Sequence, residues 1–331
     1  MPRYRSAGLC AVLLAAAVAT GESSQTRQSA DAALEVLPLR SNVFMIAGAG
    51  ANITVQVGGD GAVVVDAGSA DRVDQVIASV AKLSPKPIRY VIDTSADDDH
   101  VGGNEKLAKA GQTLFNVGNA FATGMTNGGA AAILSAERVL MRMSAPTGET
   151  ARFDSAAWPT ETFAQPRKYM FLNDEGIEVL HQPAAHTDGD SIVFFRRSDV
   201  VAAGDIIDVR HFPVIDVARG GSVQGEIAAL NRLVDLAIPS VPIISREGGT
   251  LVIPGHGRIY DQTDVAEYRD MVTIIRDRVN AQIKQGRTLA QVKASAPTAG
   301  YTQRYGSDRG WTADMFVEAI YNSLTQAGAK R

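Results

Sequence analysis

The chain has 331 residues and a formal net charge of −4, and it is 45% hydrophobic and 21% charged. This composition is ordinary for a soluble globular protein, and the length allows one large domain or two small ones. The acidic balance argues against nucleic-acid binding. After the N-terminus, no segment is apolar for long enough to cross a membrane.

The N-terminus has the pattern of a secretory signal peptide. Residues 1–19 begin with Arg3 and Arg5, continue as the apolar stretch LCAVLLAAAVA and end in small residues. We expect this segment to be cleaved, leaving a flexible lead over residues 20–33 and a periplasmic or extracellular protein. The only cysteine, Cys10, lies inside the peptide, so a metal site in the mature chain must use histidines and carboxylates.

The next stretch alternates strands with a helix. Residues 42–68 contain Val- and Ile-rich runs, the hairpin signal GGDG and the buried strand AVVVDAG, which carries Asp66. Residues 71–83 have helical spacing, and residues 88–93 read as another buried strand. This order predicts α/β layering. It places the acidic segment DTSADDDHVGGN, residues 93–104, in a loop after a strand, where α/β sites usually lie.

The rest of the chain continues this pattern and then becomes helical. The predicted elements are helices over 103–110, 130–143 and 224–237, strands within 176–185, 190–205 and 249–257, and an irregular loop over 144–167. We therefore predict an α/β domain over residues 34–262, followed by a C-terminal helical extension over residues 263–331.

Four of the five histidines fall in predicted loops or at strand ends. His100 lies in the acidic segment, His186 in AAHTDGD, His211 in DVRHFP and His256 in PGHG, whereas His181 lies within a strand and is treated as structural. The ends of different strands in one α/β domain converge on a common rim. Histidines and aspartates that are distant in sequence can therefore share a cation.

Together these segments resemble the metallo-β-lactamase superfamily, in order and in spacing. The resemblance covers most of residues 42–262 and rests on VVVDAG, DDDHVGGN, AAHTDGD, AAGD and IPGHG. It implies a four-layer αβ/βα sandwich with a metal centre at the strand ends. It also implies one or two divalent metal ions, with zinc expected and iron or manganese as alternatives.

The resemblance assigns a ligand set by position. His186 would be a ligand of the first metal, and Asp99, His100 and His256 would hold the second. Asp205 matches the aspartate that bridges two metals in the glyoxalase II-like branch of the superfamily.

The signature of the superfamily is altered in this chain. Ser95 and Asp97 stand where its first two histidines are found. Asp66 matches a structural aspartate near the site, and Asp98 falls at an intervening position that we expect to face solvent.

Asp97 changes the expected chemistry of the centre. It would bind as a hard, negatively charged ligand, so Asp97, Asp99 and Asp205 bring one more carboxylate than the usual pattern. Additional anionic ligands make a metal-bound water less acidic. Harder ligands also shift preference toward iron, manganese or magnesium, although imidazole still suits zinc.

Three functions are compatible with these residues. The first is a secreted hydrolase that uses metal-bound hydroxide on a small-molecule amide, ester or lactone, with Asp97 or Asp99 orienting the water or transferring its proton. The second is a degenerate, non-catalytic binding protein of the same fold. The third is an iron-dependent oxidoreductase, because an acidic residue at this signature position is found in the flavodiiron branch.

Two further residues are candidates for the substrate pocket. His211 follows Asp205 by six residues and lies on the pocket wall or on the surface. Trp158 lies in the predicted 144–167 loop and could cover a pocket.

Overall fold

The computed structural model describes residues 33–40, 42–114, 129–145, 149–241, 243, 248–306 and 310–329. The predicted signal peptide, residues 1–19, and all but the last residue of the predicted lead lie outside the described residues. Within the described ranges, no helix is long and apolar enough to cross a membrane.

Twelve strands are found in the described part of the chain. They are β1 (Glu35–Arg40), β2 (Val43–Ala49), β3 (Ala51–Val57), β4 (Ala62–Val65), β5 (Ile88–Ile92), β6 (Ala132–Ala136), β7 (Glu161–Phe163), β8 (Arg167–Leu172), β9 (Glu175–Gln182), β10 (Asp190–Phe195), β11 (Val200–Asp208) and β12 (Leu251–His256).

These strands form two sheets. The first contains β1 to β7 in chain order, antiparallel up to β4 and parallel from β4 onward. The second has the order β12-β11-β10-β9-β8, and within it only β11 and β12 pair in parallel. The parallel strands β4 and β5 are apolar on both faces, as expected for strands covered on both sides.

Helices cover the outer faces of the sheets. They are α1 (Val73–Leu83), α2 (Asp98–Val101), α3 (Asn104–Ala110), α4 (Glu137–Met143), α5 (Val223–Leu236), α6 (Gln262–Lys284), α7 (Leu289–Ala294), α8 (Thr302–Tyr305) and α9 (Ala313–Ala329).

The core is divided by the two sheets. Apolar side chains of both sheets meet in one cluster between them. Helices α1 and α3 pack on the outer face of the first sheet. Helices α5, α6 and α9 share a third cluster with the outer face of the second sheet, so the C-terminal helices pack on that layer. The predicted αβ/βα sandwich is confirmed.

Two predicted elements were wrong in part. Residues 130–143 were expected to be one helix, but Ala132–Ala136 form β6 and only Glu137–Met143 are helical. The apolar run AILSA pairs in parallel with β5 and is buried, so sheet pairing overrides the helical propensity of Ala and Leu. The predicted 144–167 loop contains a 3-10 turn, Ser155–Ala157, and strand β7, which extends the first sheet beside β6.

Candidate metal centre

The ends of strands from both sheets deliver the predicted ligands to one place. His100 and Asp99 lie on α2, which a short loop separates from β5, and so belong to a helical turn rather than to the predicted loop. Asp205 lies within β11, and His256 is the last residue of β12. His186 lies in the turn between β9 and β10.

One part of the centre, the His256 half, consists of Asp99, His100 and His256. Asp205 lies between this half and the rest of the centre. The His256 Nε2 is 3.0 Å from Asp99 Oδ2 and 3.6 Å from Asp205 Oδ1, and the His100 Nε2 is 3.1 Å from the same Asp205 oxygen. The ligand atoms of Asp99, His100 and His256 all lie within 4.8 Å of one another.

His100 is oriented from behind by Asp66 and Thr94. The His100 Nδ1 is 2.9 Å from Asp66 Oδ2 and 3.1 Å from Thr94 Oγ1, and the Thr94 hydroxyl in turn donates to Asp66. A carboxylate on one imidazole nitrogen fixes the ring and directs the other nitrogen to the metal side. Asp66 holds this position with φ of 66°, a backbone conformation that aspartate tolerates better than most residues.

Two glycines lie where a side chain would collide with Asp205 or Thr94. A Cβ at Gly255, in the IPGHG segment, would lie 2.3 Å from Asp205 Oδ1. Gly204, with φ of +54°, packs so close to Thr94 that a Cβ would lie 2.6 Å from its hydroxyl oxygen. Both contacts favour glycine because the backbone directly approaches Asp205 and Thr94, the residue that contacts His100 from behind.

The His256 half fits a divalent cation. The His100 Nε2 and the Asp205 Oδ1 are buried and have no hydrogen-bond partner among the described residues, although they lie 3.1 Å apart. Buried polar atoms are normally paired, so two ligand atoms left this way point to a group between them. Two imidazoles and two carboxylates form a donor set that suits zinc.

The other part of the centre, the His186 half, consists of Asp97 and His186. The His186 Nε2 is 2.8 Å from Asp97 Oδ2 and 4.0 Å from Asp205 Oδ2. The His186 Nδ1 is 2.8 Å from the backbone carbonyl of Val214. With Asp205, these side chains form a second group that could hold a cation.

Arg219 also belongs to this half, and the sequence analysis missed it. Its Nη1 donates to Asp97 Oδ1 at 2.5 Å, and its Nε donates to Asp216 Oδ2 at 2.7 Å. Asp97 is therefore hydrogen-bonded on one oxygen by Arg219 and on the other by His186. The segment DVARGG has no motif that marks this arginine, so only the tertiary structure shows its role.

Ser95 takes no part in either half. It is fully buried, and its hydroxyl oxygen accepts a hydrogen bond from the backbone N–H of Asp97. Asp98 is exposed as expected and pairs with Arg152. The three consecutive aspartates therefore have different surroundings, with Asp97 and Asp99 facing the centre and Asp98 facing solvent.

The charges of the centre are strongly coupled. Burial disfavours the imidazolium of His100, but the facing carboxylates of Asp205 and Asp66 raise its pKa well above the usual value. Burial also opposes the charge on Asp205, yet His100 and the other two histidines hold its pKa well below the usual range. For His186, burial lowers the pKa, and the hydrogen bond to Asp97 with the nearby carboxylates raises it to about 10. The carboxylates thus favour positive charge at the centre.

A small cavity adjoins the His256 half. It has a volume of about 100 Å³ and is lined by Asp205, Asp208, Arg210, His211, Val214 and His256. The His211 Nε2 is 3.2 Å from Asp208 Oδ2, and its Nδ1 donates to the carbonyl of Phe212. The structure therefore places His211 beside the centre, together with Arg210, which sequence reasoning did not single out.

Trp158 and His181 lie outside the two halves. Trp158 packs with Phe153 against a small cluster that includes Ala96 and Val101, and its indole N–H donates to the carbonyl of Phe153. Trp158 therefore packs against the acidic segment, residues 93–104. The His181 ring nitrogen is hydrogen-bonded to the carbonyl of Asp188.

Comparison with known families and proteins gives one family and several structures. Residues 47–114 match the family described as the Metallo-beta-lactamase superfamily. A search of curated proteins found no match.

Three solved structures illustrate the similarity. A metallo-beta-lactamase from Pontibacter korlensis is 17% identical, with 72% of this chain and 99% of that chain covered and a TM-score of 0.51. DIM-1 metallo-beta-lactamase is 14% identical, with 73% and 98% covered and a TM-score of 0.51. The stereoselective inverting sec-alkylsulfatase Pisa1 from Pseudomonas sp. is 14% identical, with 89% and 51% covered and a TM-score of 0.63. This chain therefore spans about half the length of the sulfatase. At these identities the similarity concerns the fold.

Proposed function

We propose, from the metallo-β-lactamase fold of this chain, that the protein is a metal-dependent hydrolase. The observation that carries the proposal is the convergence of Asp99, His100, His256 and Asp205 at one point. The unpaired ligand atoms of His100 and Asp205 support a cation there rather than a purely structural cluster.

The residues of the centre can take different roles in hydrolysis. A divalent metal bound there would polarise the scissile carbonyl and lower the pKa of a water molecule. The Asp99 side chain is 36% exposed, so its carboxylate can reach that water and accept its proton. Asp97 has both oxygens hydrogen-bonded, by Arg219 and His186, so we assign it a positioning role instead.

The cavity beside the His256 half would receive the substrate. We propose a small-molecule amide, ester or lactone, in keeping with the names of the metallo-β-lactamases of similar fold. Arg210 and His211 line the cavity, and the Arg210 guanidinium can donate hydrogen bonds to polar groups of the substrate.

Metal and location are further parts of the proposal. Imidazole ligands support zinc, and the carboxylates allow iron or manganese as alternatives. The signal-peptide pattern of residues 1–19 supports a secreted protein, periplasmic or extracellular.

A non-catalytic binding protein of the same fold is the second candidate. The observation that favours it is the pairing of Asp97 with Arg219, which occupies a carboxylate at a position where the superfamily has a histidine. An altered centre of this kind is compatible with binding a ligand without turnover.

The proposal is tested by metal content and hydrolysis measured on the same preparations. The protein is purified without added metal, analysed by mass spectrometry for zinc, iron and manganese, and assayed with chromogenic β-lactam, ester and lactone substrates. We expect bound zinc and hydrolysis of at least one substrate class. His256→Ala should abolish both, since it removes a ligand of the His256 half.

Asp99→Asn and Asp98→Asn form a matched pair on the same acidic segment. The first should reduce activity by roughly a hundredfold or more, because it removes a carboxylate that is both a candidate ligand and the proposed proton acceptor. The second, at an exposed position, should leave metal content and activity unchanged. Bound metal without any hydrolysis would favour the binding protein. Bound iron with redox activity would favour the oxidoreductase, and a fully active His256→Ala protein would exclude the proposed site.

A further inference from the structure

In the His186 half, Arg219 binds one carboxylate oxygen of Asp97 and His186 binds the other. The Arg219 guanidinium donates to Asp97 Oδ1, and the opposite oxygen accepts from His186 at 2.8 Å. Both ligand-competent oxygens of Asp97 are thus engaged by cationic or hydrogen-bonding groups of the chain itself. A centre with two metals would need at least one of these contacts to open.

Arg219 is held in place by its own turn. Its Nε donates to Asp216 Oδ2, and its backbone N–H donates to the other Asp216 oxygen at 2.9 Å. The backbone N–H of Asp216 donates to the carbonyl of His186, so the turn is anchored to the same segment as the histidine. Arg142 adds a hydrogen bond to the carbonyl of Arg219. These contacts fix the position of the guanidinium, and the Arg219 side chain is only 25% exposed.

The charge of Arg219 matches the change in the ligand set. Replacing a neutral histidine by Asp97 adds one negative charge beside Asp99 and Asp205. The guanidinium is permanently charged and cancels that addition without a metal. We propose that Arg219 takes the place of a second metal ion, so that the chain binds one divalent ion, in the His256 half. This inference rests on the proposed metal site but not on the proposed hydrolysis.

The two halves differ in the way this proposal requires. In the His256 half, the nearest ligand atoms include a buried nitrogen and a buried oxygen without hydrogen-bond partners in the described ranges. Each half has a direct contact between a histidine and an aspartate, His256 with Asp99 at 3.0 Å and His186 with Asp97 at 2.8 Å. In the His186 half, the aspartate is also bound by an arginine. The carboxylate of Asp97 is therefore balanced by a fixed guanidinium, whereas Asp99 in the His256 half faces an imidazole.

A second possibility is that Asp97 binds a metal and Arg219 merely supports it as an outer hydrogen-bond donor, as happens to many ligating carboxylates. The charge argues against this. A dication on Asp97 would share one carboxylate with a guanidinium, and each positive charge would weaken the binding of the other.

The number of bound ions tests the inference directly. The purified full chain is stripped of metal, dialysed against excess zinc and analysed by mass spectrometry, with cobalt absorption spectra as an independent count of sites. The wild-type protein should bind about one zinc ion per chain and Arg219→Ala about two, because Asp97, His186 and Asp205 are then released as a ligand set. Arg219→Lys should remain near one, since it retains the charge.

Arg152→Ala is the matched control, because it removes an arginine that pairs with Asp98 rather than with Asp97. Its zinc count should equal that of the wild type. Asp97→Ala should also leave the count at one, and this variant does not depend on whether Arg219→Ala folds. Two ions in the wild-type protein, or a single ion in folded Arg219→Ala, would overturn the inference and leave the proposed function intact. No bound zinc in the wild type would instead remove the proposed function itself.

Discussion

The two halves of the centre use similar residues in different ways. In the His256 half, two histidines and an aspartate point at a common space, and Asp66 orients His100 from behind. In the His186 half, His186 and Asp97 are in direct contact, as His256 and Asp99 are in the other half, and Arg219 adds a permanent positive charge. A metal-ligand pattern in a sequence thus specifies which side chains meet. If Arg219 replaces a metal ion as proposed, the surrounding charges decide how many ions these side chains bind.

The largest expected effect comes from the residue shared by both halves. Asp205→Asn keeps the size of the side chain but removes the negative charge that faces His100, His256 and His186. We expect zinc affinity to fall by roughly a hundredfold or more, because a carboxylate ligand becomes a weak amide ligand. Competition with a chromogenic chelator measures the affinity.

His186→Ala is the comparison for this variant. It changes only the His186 half, so zinc should remain bound with close to wild-type affinity if that half holds no metal. Equal losses of zinc affinity in Asp205→Asn and His186→Ala would show that the two halves act as one dinuclear site. The two halves would then not differ in metal binding.

A smaller effect is expected at Asp66. Its carboxylate touches the His100 ring but is not itself a proposed ligand. Asp66→Asn should weaken zinc binding by about 10- to 100-fold, the usual loss when the outer partner of a ligating histidine is removed. Asparagine tolerates a positive φ nearly as well as aspartate, so the backbone conformation at this position should be retained.

Asp71→Asn serves as its control, since Asp71 is an exposed aspartate near the same loop. Thermal unfolding of both variants separates a loss of zinc affinity from a loss of folded protein. Unchanged zinc binding in Asp66→Asn would mean that Thr94 alone positions His100.

Much of this centre was predictable because strand ends converge. His100, His186, Asp205 and His256 were placed together from their positions after predicted strands, and the structure brings them together. Burial of Asp66 against His100 also follows from its place at the end of β4. These relations depend on the order of the strands, which hydrophobic periodicity reveals.

The parts that the sequence did not reveal depend on tertiary contacts. Arg219 comes from a short 3-10 turn, and its pairing with Asp97 depends on how that turn docks against the His186 segment. Strand β6 was missed because its residues favour a helix in isolation and become a strand only through pairing with β5. Neither outcome is encoded in local spacing.

The last prediction concerns the stability of the folded chain and a buried carboxyl group near the His186 half. Glu226 on α5 is fully buried, and both of its oxygens lack a hydrogen-bond partner among the described residues. Burial, followed by repulsion from Asp190, raises its pKa well above the usual value. The folded protein therefore keeps a proton on Glu226 that the unfolded chain releases as the pH rises above about 4.5.

The sign of the resulting pH dependence follows from proton binding. Because the folded state binds more protons, stability falls as the pH rises from the unfolded pKa toward the raised folded pKa, by about 1.4 kcal/mol per pH unit for this group. Glu226→Gln carries no titratable proton and should remove that contribution. The variant should match the wild type near pH 4 and be more stable at pH 8, as measured by urea unfolding.

Asp235→Asn, at an exposed position near the end of the same helix, should leave the pH dependence unchanged. If Glu226→Gln is instead less stable than the wild type at pH 8, Glu226 must be ionised and paired in the folded protein. The His186 half would then contain a further negative charge beyond Asp97 and Asp205. Arg219 alone would not balance that charge, and a second metal ion would become the simpler explanation for the stability of that half.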